Sequence, residues 1–334
     1  MNSKIKSVIK YVLLLGVGTA LLWLAFRKVD IGKTLDEIKH ANLFWLSLSI
    51  LAGLIAFTSR AIRWNLLIEP LGYKPKLDNT LAALMIGYLA NLAVPRLGEI
   101  SRCGTLSQTD NIPVEKLFGT VIFERIIDVI SLLICMLLVA ILEYERLGNF
   151  LSQNIFDPVK EKLNSIIASP ILITVVLLFF FALFFFLFKS KKSKGILAKA
   201  KEIFKGIAAG LVSVRNLKKP FQFVFHSVLI WFMYFLMSYL CFFALPATSQ
   251  LSWHAGLFIL VVGGMGMSAP VQGGIGAYHL LVSSGLLLYG IAYEHGIAFA
   301  TLMHTSQTVV VLLFGGLAFL YLFLKKRNGK TIEP

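Results

Sequence analysis

Long uninterrupted apolar runs constrain this chain more than any other feature. A helix needs about 20 apolar residues to cross the roughly 30 Å hydrocarbon core of a bilayer. Val8–Phe26, Leu43–Thr58, Leu117–Leu142, Pro170–Phe188, Phe223–Leu245 and Ile297–Leu324 all read as spanning candidates. Lipid offers no hydrogen bonds to the backbone, so such segments satisfy their own amides as helices. Of 334 residues, 57% are apolar and only 15% charged, far from the balance of a soluble domain. The expected fold class is therefore an all-α polytopic membrane protein with about six spanning helices.

Charge orients these runs. The formal net charge is +15, and segment 189–220 carries Lys189, Lys191, Lys192, Lys194, Lys199, Lys201, Lys205, Arg215, Lys218 and Lys219 against Glu202 alone. The positive-inside rule places that loop in the cytoplasm, beside anionic inner-leaflet lipids. Within it Ile196, Ala200, Ile203, Ile207, Leu211 and Val214 recur at helical spacing, as in an in-plane helix on the leaflet or a helix packed on the protein. Lys325-Lys326-Arg327 falls on the same side, and Lys4, Lys6 and Lys10 put the amino terminus there too. The first run resembles a signal peptide but has no small-residue cleavage site near Leu24-Ala25-Phe26, so it reads as a retained helix. Both termini are expected in the cytoplasm of a multi-pass inner-membrane protein.

Parity then makes two irregular stretches informative. Arg60, Arg63, Lys74 and Lys76 precede Thr80–Val94, Arg96, Arg102 and Lys116 follow it, and all read as cytoplasmic. The stretch is too short to span comfortably and ends in Pro95-Arg96-Leu97-Gly98-Glu99, so it reads as a re-entrant helix–break–helix. Gly256–Ile291, broken at Pro270-Val271-Gln272-Gly273-Gly274-Ile275-Gly276, must start and finish outside. Two short spans or a re-entrant hairpin both fit, and the hairpin is preferred. The result is one transmembrane domain over 1–334, with a first half at about 1–142 and a second at about 170–326. Each half runs span, broken hairpin, span, in the order of an inverted-topology repeat, whose matched breaks point to a binding site.

Several chemistries find no support in the sequence. Cys103, Cys135 and Cys241 form no C-x-x-C, and the six histidines show no metal-ligand spacing, so no metal or cofactor is expected. No phosphate-binding loop signals an ATP-driven pump, and Gly264-x-Gly266-x-x-Ala269 follows no strand and is rejected as a dinucleotide fingerprint. No basic stripe is interleaved with exposed aromatics, which argues against nucleic acid.

Candidate site residues fall at the breaks and in one helix. Asn91, Pro95, Arg96, Gly98, Glu99 and Arg102 form the first group, and Arg96, Glu99 and Arg102 at i, i+3 and i+6 are expected to share a helical face. Glu124, Arg125 and Asp128 lie inside an apolar helix, where a charge costs about 2.5–3.5 kcal/mol and needs partners or water. These carboxylates and arginines would neutralise one another and leave guanidinium donors for a phosphate, or would simply lock the hairpin to its neighbour. Gly273, Gly274 and Gly276 at the second break would line a polar path or serve tight helix packing, with Gln272 and His279 weaker candidates. His304 and Gln307, three apart in the last run, would face the same cavity or form a satisfied buried pair, and the pair is preferred.

Asn91-Leu92-Ala93-Val94-Pro95-Arg96-Leu97-Gly98-Glu99-Ile100-Ser101-Arg102 and Glu124-Arg125-Ile126-Ile127-Asp128 resemble motifs of the transmembrane, flippase-like domain of lysylphosphatidylglycerol synthase. The family pattern N-x-x-x-P-x-R-x-G-E is matched with one departure, since Pro95 abuts Arg96 directly. Pro270 and Gly273-Gly274-Ile275-Gly276 resemble its second glycine-rich break. The resemblance implies translocation of a membrane phospholipid or polyprenyl-linked lipid with a polar head group. The chain ends at Pro334 without the soluble aminoacyl-transferring domain, which leaves transport as the expected role. A membrane-embedded enzyme or an accessory subunit is the alternative.

Overall fold

A computed structural model describes residues 16–27, 29–151 and 217–327. Every regular element among them is helical. Gly16–Phe26 forms α1, and Asp30 caps α2 (Ile31–Lys39) by accepting from the Gly32 and Lys33 amides. Asn42 caps α3 (Leu43–Ile68), which ends in a tight turn at Glu69–Leu71 where Pro70 stops it and Gly72 takes a left-handed conformation. The chain then forms α4 (Leu77–Ala93), α5 (Leu97–Asp110), α6 (Val114–Leu142) and α7 (Tyr144–Leu151). Beyond the segment not described come α8 (Pro220–Phe242), α9 (Trp253–Ser268), α10 (Ala277–Leu287) and α11 (Tyr293–Arg327). The protein is an all-α membrane protein.

Four of these helices, α3 with its terminal turn, α6, α8 and α11, are long and apolar enough to cross a bilayer. They correspond to four of the six expected spans. The Val8–Phe26 span is described only from Gly16, and Pro170–Phe188 lies outside the described residues, as does the basic loop up to residue 216. One boundary is corrected: α3 does not stop at Thr58 but runs ten residues further, with Arg60 and Arg63 buried in its wall instead of lying in a loop.

The described residues fall into two compact units, one comprising residues up to 136 and from 214 onward, the other 137–213. In the second, the end of α6 leads into the short amphipathic α7. In the first, α3 and α8 run antiparallel: the Asn42 amide donates to the Ala244 carbonyl at one end, Ser49 bonds the Met237 carbonyl along the way, and Lys219 pairs with Glu69 at the other end.

Two helix–break–helix hairpins fill the space around this pair. In the first, α4 and α5 pack against each other, and Asp110 accepts from the Lys76 amide and from Asn79, so both ends of the hairpin meet at one end of the protein. Lys325 at the end of α11 bonds Asn79 there too. The arms rise about 25 and 21 Å at 1.5 Å per residue, less than a bilayer core. In the second hairpin α9 packs on α10, with Phe258 against Gly285 and Tyr289 at its open end. That end faces the opposite way, with the α8–α9 turn and the start of α11, where His295 meets Glu37 of α2. The two hairpins thus open to opposite ends and meet tip to tip, Gly273 lying against Leu92.

Small residues make these contacts possible. Burying apolar surface gives little drive between helices already in lipid, so close van der Waals packing has to hold them. An added Cβ on Gly87 would lie 2.9 Å from the Gly98 carbonyl oxygen, one on Gly266 2.7 Å from Tyr278 Cα, and one on Gly315 2.9 Å from Leu89 Cβ. At the base of the first hairpin Trp64, Ile68, Ala83, Cys103, Leu106, Ile112, Leu117 and Val121 form a buried cluster joining α3, α4, α5 and α6.

Candidate functional site

The first hairpin turns at Val94-Pro95-Arg96. Proline removes a donor and disfavours a helical conformation at Val94, which is extended. Arg96 follows with φ of 65°, a left-handed conformation uncommon for a side chain of its size. Asn91 then ties the two arms: its Oδ1 accepts from the Gly98 amide at 2.7 Å, one of the donors left open at the start of α5. A side chain at Gly98 would overlap the Gly87 carbonyl and the Asn91 amide, so glycine is required there.

Against this tip α3 and α6 bring an ion cluster. Glu124 is fully buried and is its hub. Its Oε1 accepts from Arg60 Nε at 2.8 Å and lies 3.4 Å from Arg63 Nη2, while Oε2 lies 3.2 Å from Arg102 Nη1. Asp128, one turn on, pairs with Arg60 and accepts from Arg63 at 2.7 Å. Arg125 reaches Glu99 at 3.1 Å and Asp128 at 3.7 Å. Tyr234 of α8 accepts from Arg60 at 3.0 Å, and the Trp64 ring lies 4.7 Å beneath the Arg102 guanidinium, held by a bond from its Nε1 to Thr120. The cation–π contact adds about 2 kcal/mol when desolvated.

Four arginines thus face three carboxylates, leaving one positive charge in excess. Several donors are also unmet: Arg63 Nε and Nη1, Arg102 Nε and Nη2, and the Tyr88 hydroxyl are buried without a partner among the described residues, as is Glu99 Oε2. A narrow cleft with space for about one water molecule opens here, lined by Gly87, Tyr88, Asn91, Glu99, Arg102 and Arg125.

Among known proteins, the sequence profile of the lysylphosphatidylglycerol synthase TM region matches residues 8–315. The chain belongs to this family. A UPF0104 membrane protein of Methanocaldococcus jannaschii is also similar, 25% identical over 103 residues. That stretch covers 30% of the chain and 31% of the relative, so the match spans about a third of either protein. No solved structure matches the chain.

In this member of the lysylphosphatidylglycerol synthase TM family, Asn91, Glu99, Arg102, Glu124, Arg125 and Asp128 come together as one neighbourhood. Arg96 does not share a helical face with Glu99 and Arg102 as expected. It precedes the first turn of α5, is exposed, and forms no ion pair among the described residues. Gln272, Gly273, Gly274 and Gly276 form the second tip instead. Gly273, Gly274 and Gly276 all have positive φ there, and Gln272 and Val271 face Gly18 of α1. This tip touches α4 and takes no part in the ion cluster. His304 bonds the Gly273 carbonyl at 2.7 Å, not Gln307.

Arg60, Arg63, Tyr88 and Tyr234 were not legible as site residues. A signal for the arginines did exist. Trp64, Leu66, Leu67 and Ile68 continue the apolar run beyond them, and two charges inside one long apolar helix call for carboxylate partners in another.

Proposed function

We propose that the chain moves a lipid with an anionic, phosphate-bearing head group across the membrane, the cleft at the first hairpin holding the phosphate. The observation that carries this reading is the arginine excess of the cluster together with Arg102, which lines that cleft with its Nε and Nη2 unmet among the described residues. One surplus positive charge matches the single negative charge of a phosphodiester, and the guanidinium fork suits two phosphate oxygens at once. The cleft is tight, with space for about one water molecule, so the arms of the hairpin would part to admit a head-group phosphate while the acyl chains stay in the bilayer. Arg96, unpaired at the tip, adds a second cation for the approaching head group. The family's name makes aminoacylated phosphatidylglycerol one head group of this class, and a polyprenyl-linked lipid is another.

Movement comes from the paired hairpins, read as re-entrant from opposite membrane faces, with one half rocking against the other. Lys74, Lys76, Lys116, Lys218, Lys219 and Lys325–Arg327 crowd one end of the protein, which is the cytoplasmic end by the positive-inside rule. The setting is a bacterial-type inner membrane with both termini in the cytoplasm.

The deciding experiment places purified protein in liposomes with head-group-labelled phosphatidylglycerol and follows access to a membrane-impermeant quencher. Arg102→Lys keeps the charge but loses the fork, and is expected to slow flipping about tenfold or more, in the range of a lost charged hydrogen bond. Arg96→Ala is expected to slow it while the protein stays folded. Full activity in both variants removes the site assignment. No flipping of any phospholipid or polyprenyl lipid shifts the role to a membrane-embedded enzyme or an accessory subunit.

A further inference from the structure

The second hairpin carries a buried polar cluster that lipid binding at the first leaves without a role. Tyr278 and His279 begin α10, and His304 faces them from α11. The two imidazole rings lie 5.0 Å apart, and the Tyr278 ring lies 5.3 Å from His304. Exposure is 3% for Tyr278, 4% for His279 and 7% for His304. Among the described residues, His279 Nδ1, the Tyr278 hydroxyl and the Thr301 hydroxyl of α11 have no hydrogen-bond partner. Each such group destabilises the fold by about 1–3 kcal/mol, and ionisable side chains at membrane depth mark ion or proton pathways.

Space excludes an organic ligand. A Cβ on Gly263 would lie 2.9 Å from the Tyr278 ring, α9 touches the Tyr278 backbone at Gly266, and Phe26 of α1 closes the third side with its ring 5.8 Å from His279. The ligand this cluster can take is a proton.

We propose that His279 and His304 form a proton-binding site that sets how firmly the second tip is held. The Gly273 carbonyl can only accept, so His304 Nε2 carries a hydrogen and its Nδ1 is the atom that takes up a further proton. Protonation makes the bond to Gly273 charge-assisted and roughly twice as strong. Gly273 is the residue at which the second tip meets Leu92, next to the Asn91 that joins the arms of the first hairpin. A bound proton therefore fastens the two tips together beside the cleft, and its release frees the second. The groups facing the pair are few: each ring faces the other, Tyr278 lies on α10, and Cys241 of α8 lies beyond Tyr278. The α1 and α9 faces present Phe26, Gly263 and Gly266. Among the described residues no carboxylate pairs with either ring. Two rings this close hold one proton between them, since a second would meet a like charge.

The consequence for transport rests on the lipid reading, because linkage makes proton and lipid occupancy affect each other equally. The test separates the two. Spin labels at Ala93 and Ile275, one on each tip, report the tip-to-tip distance in phosphatidylglycerol–phosphatidylcholine liposomes, with the three native cysteines replaced by alanine. Between about pH 4.5 and 8, a window spanning imidazole titration, the ratio of near to far populations is expected to fall about fivefold or more. His304→Gln still donates to Gly273 but does not titrate, and its distances are expected to be the same throughout. His279→Asn is expected to shift the midpoint of the transition. Distances in the native sequence that ignore pH overturn the proposal, as does a pH response kept in His304→Gln or a midpoint unmoved in His279→Asn. Flipping is measured in the same liposomes. A pH-driven distance change with no lipid movement supports the proton site and removes the lipid reading. Flipping with pH-independent distances does the reverse.

Discussion

Glu124 has no exposure and serves three arginines, so its removal and the removal of one arginine have different consequences. Glu124→Ala strips the hub and leaves Arg60, Arg63 and Arg102 short of counter-charge in a dry interior. The expected loss is about 3–5 kcal/mol, as when one partner of a buried pair is removed. Arg63→Met instead leaves three arginines against three carboxylates and removes two unmet donors, Nε and Nη1. It also takes the 2.7 Å donor from Asp128, which keeps Arg60, so its stability is expected to fall by less than that of Glu124→Ala, while lipid flipping falls. Thermal unfolding in detergent, set beside the flipping rate, checks both. The same cluster shows where sequence reading stopped. Glu124, Arg125 and Asp128 were legible because charges inside an apolar run are conspicuous. Arg60 and Arg63 were not, because charges near the end of a run look like its boundary and their partners lie more than sixty residues away.

At the level of elements, both breaks were legible from proline and glycine punctuation, and both hairpins form as helix, break, helix. The register at the first tip was not. Reading Arg96 as the first residue of a helical face assumed that the helix starts there. Pro95 and the left-handed Arg96 delay it to Leu97, which separates Arg96 from Glu99 and Arg102. The close approach of the arms yields a sharp contrast. Gly98→Ala would force its methyl into the Gly87 carbonyl, whereas nothing lies within 4 Å of a Cβ at Gly104 on the same helix. Gly98→Ala is expected to lower the melting temperature and abolish flipping. Gly104→Ala is expected to be neutral or stabilising by up to about 1 kcal/mol. Equal behaviour of the two variants would mean that the arms do not touch.

For the whole molecule, the antiparallel α3–α8 pair and the oppositely opening hairpins assign each loop to an end. Single cysteines at Lys74 and Lys218 are expected to react with an impermeant thiol reagent only from the cytoplasmic side, and cysteines at Lys39 and Ser252 only from the other. A mixed pattern would refute the orientation. The bonds from Arg60 and Arg63 to Glu124 and Asp128 also have a consequence for how the protein is made. Ribosomes deliver α3 first, with two arginines whose stay in the hydrocarbon is unfavourable, by up to about 2.5–3.5 kcal/mol each for a charge at a helix centre, until the carboxylates of α6 emerge. The later half of α3 is therefore expected to wait at the translocon or the lipid interface until α6 arrives, so that α3, the first hairpin and α6 enter the bilayer together. Nascent chains stalled before Glu124 leave the translocon are expected to keep the Arg60–Arg63 turn accessible to water-soluble reagents, and chains stalled well after Asp128 to have it sealed. The ion pairs of one buried site are thus expected to set the timetable of membrane insertion.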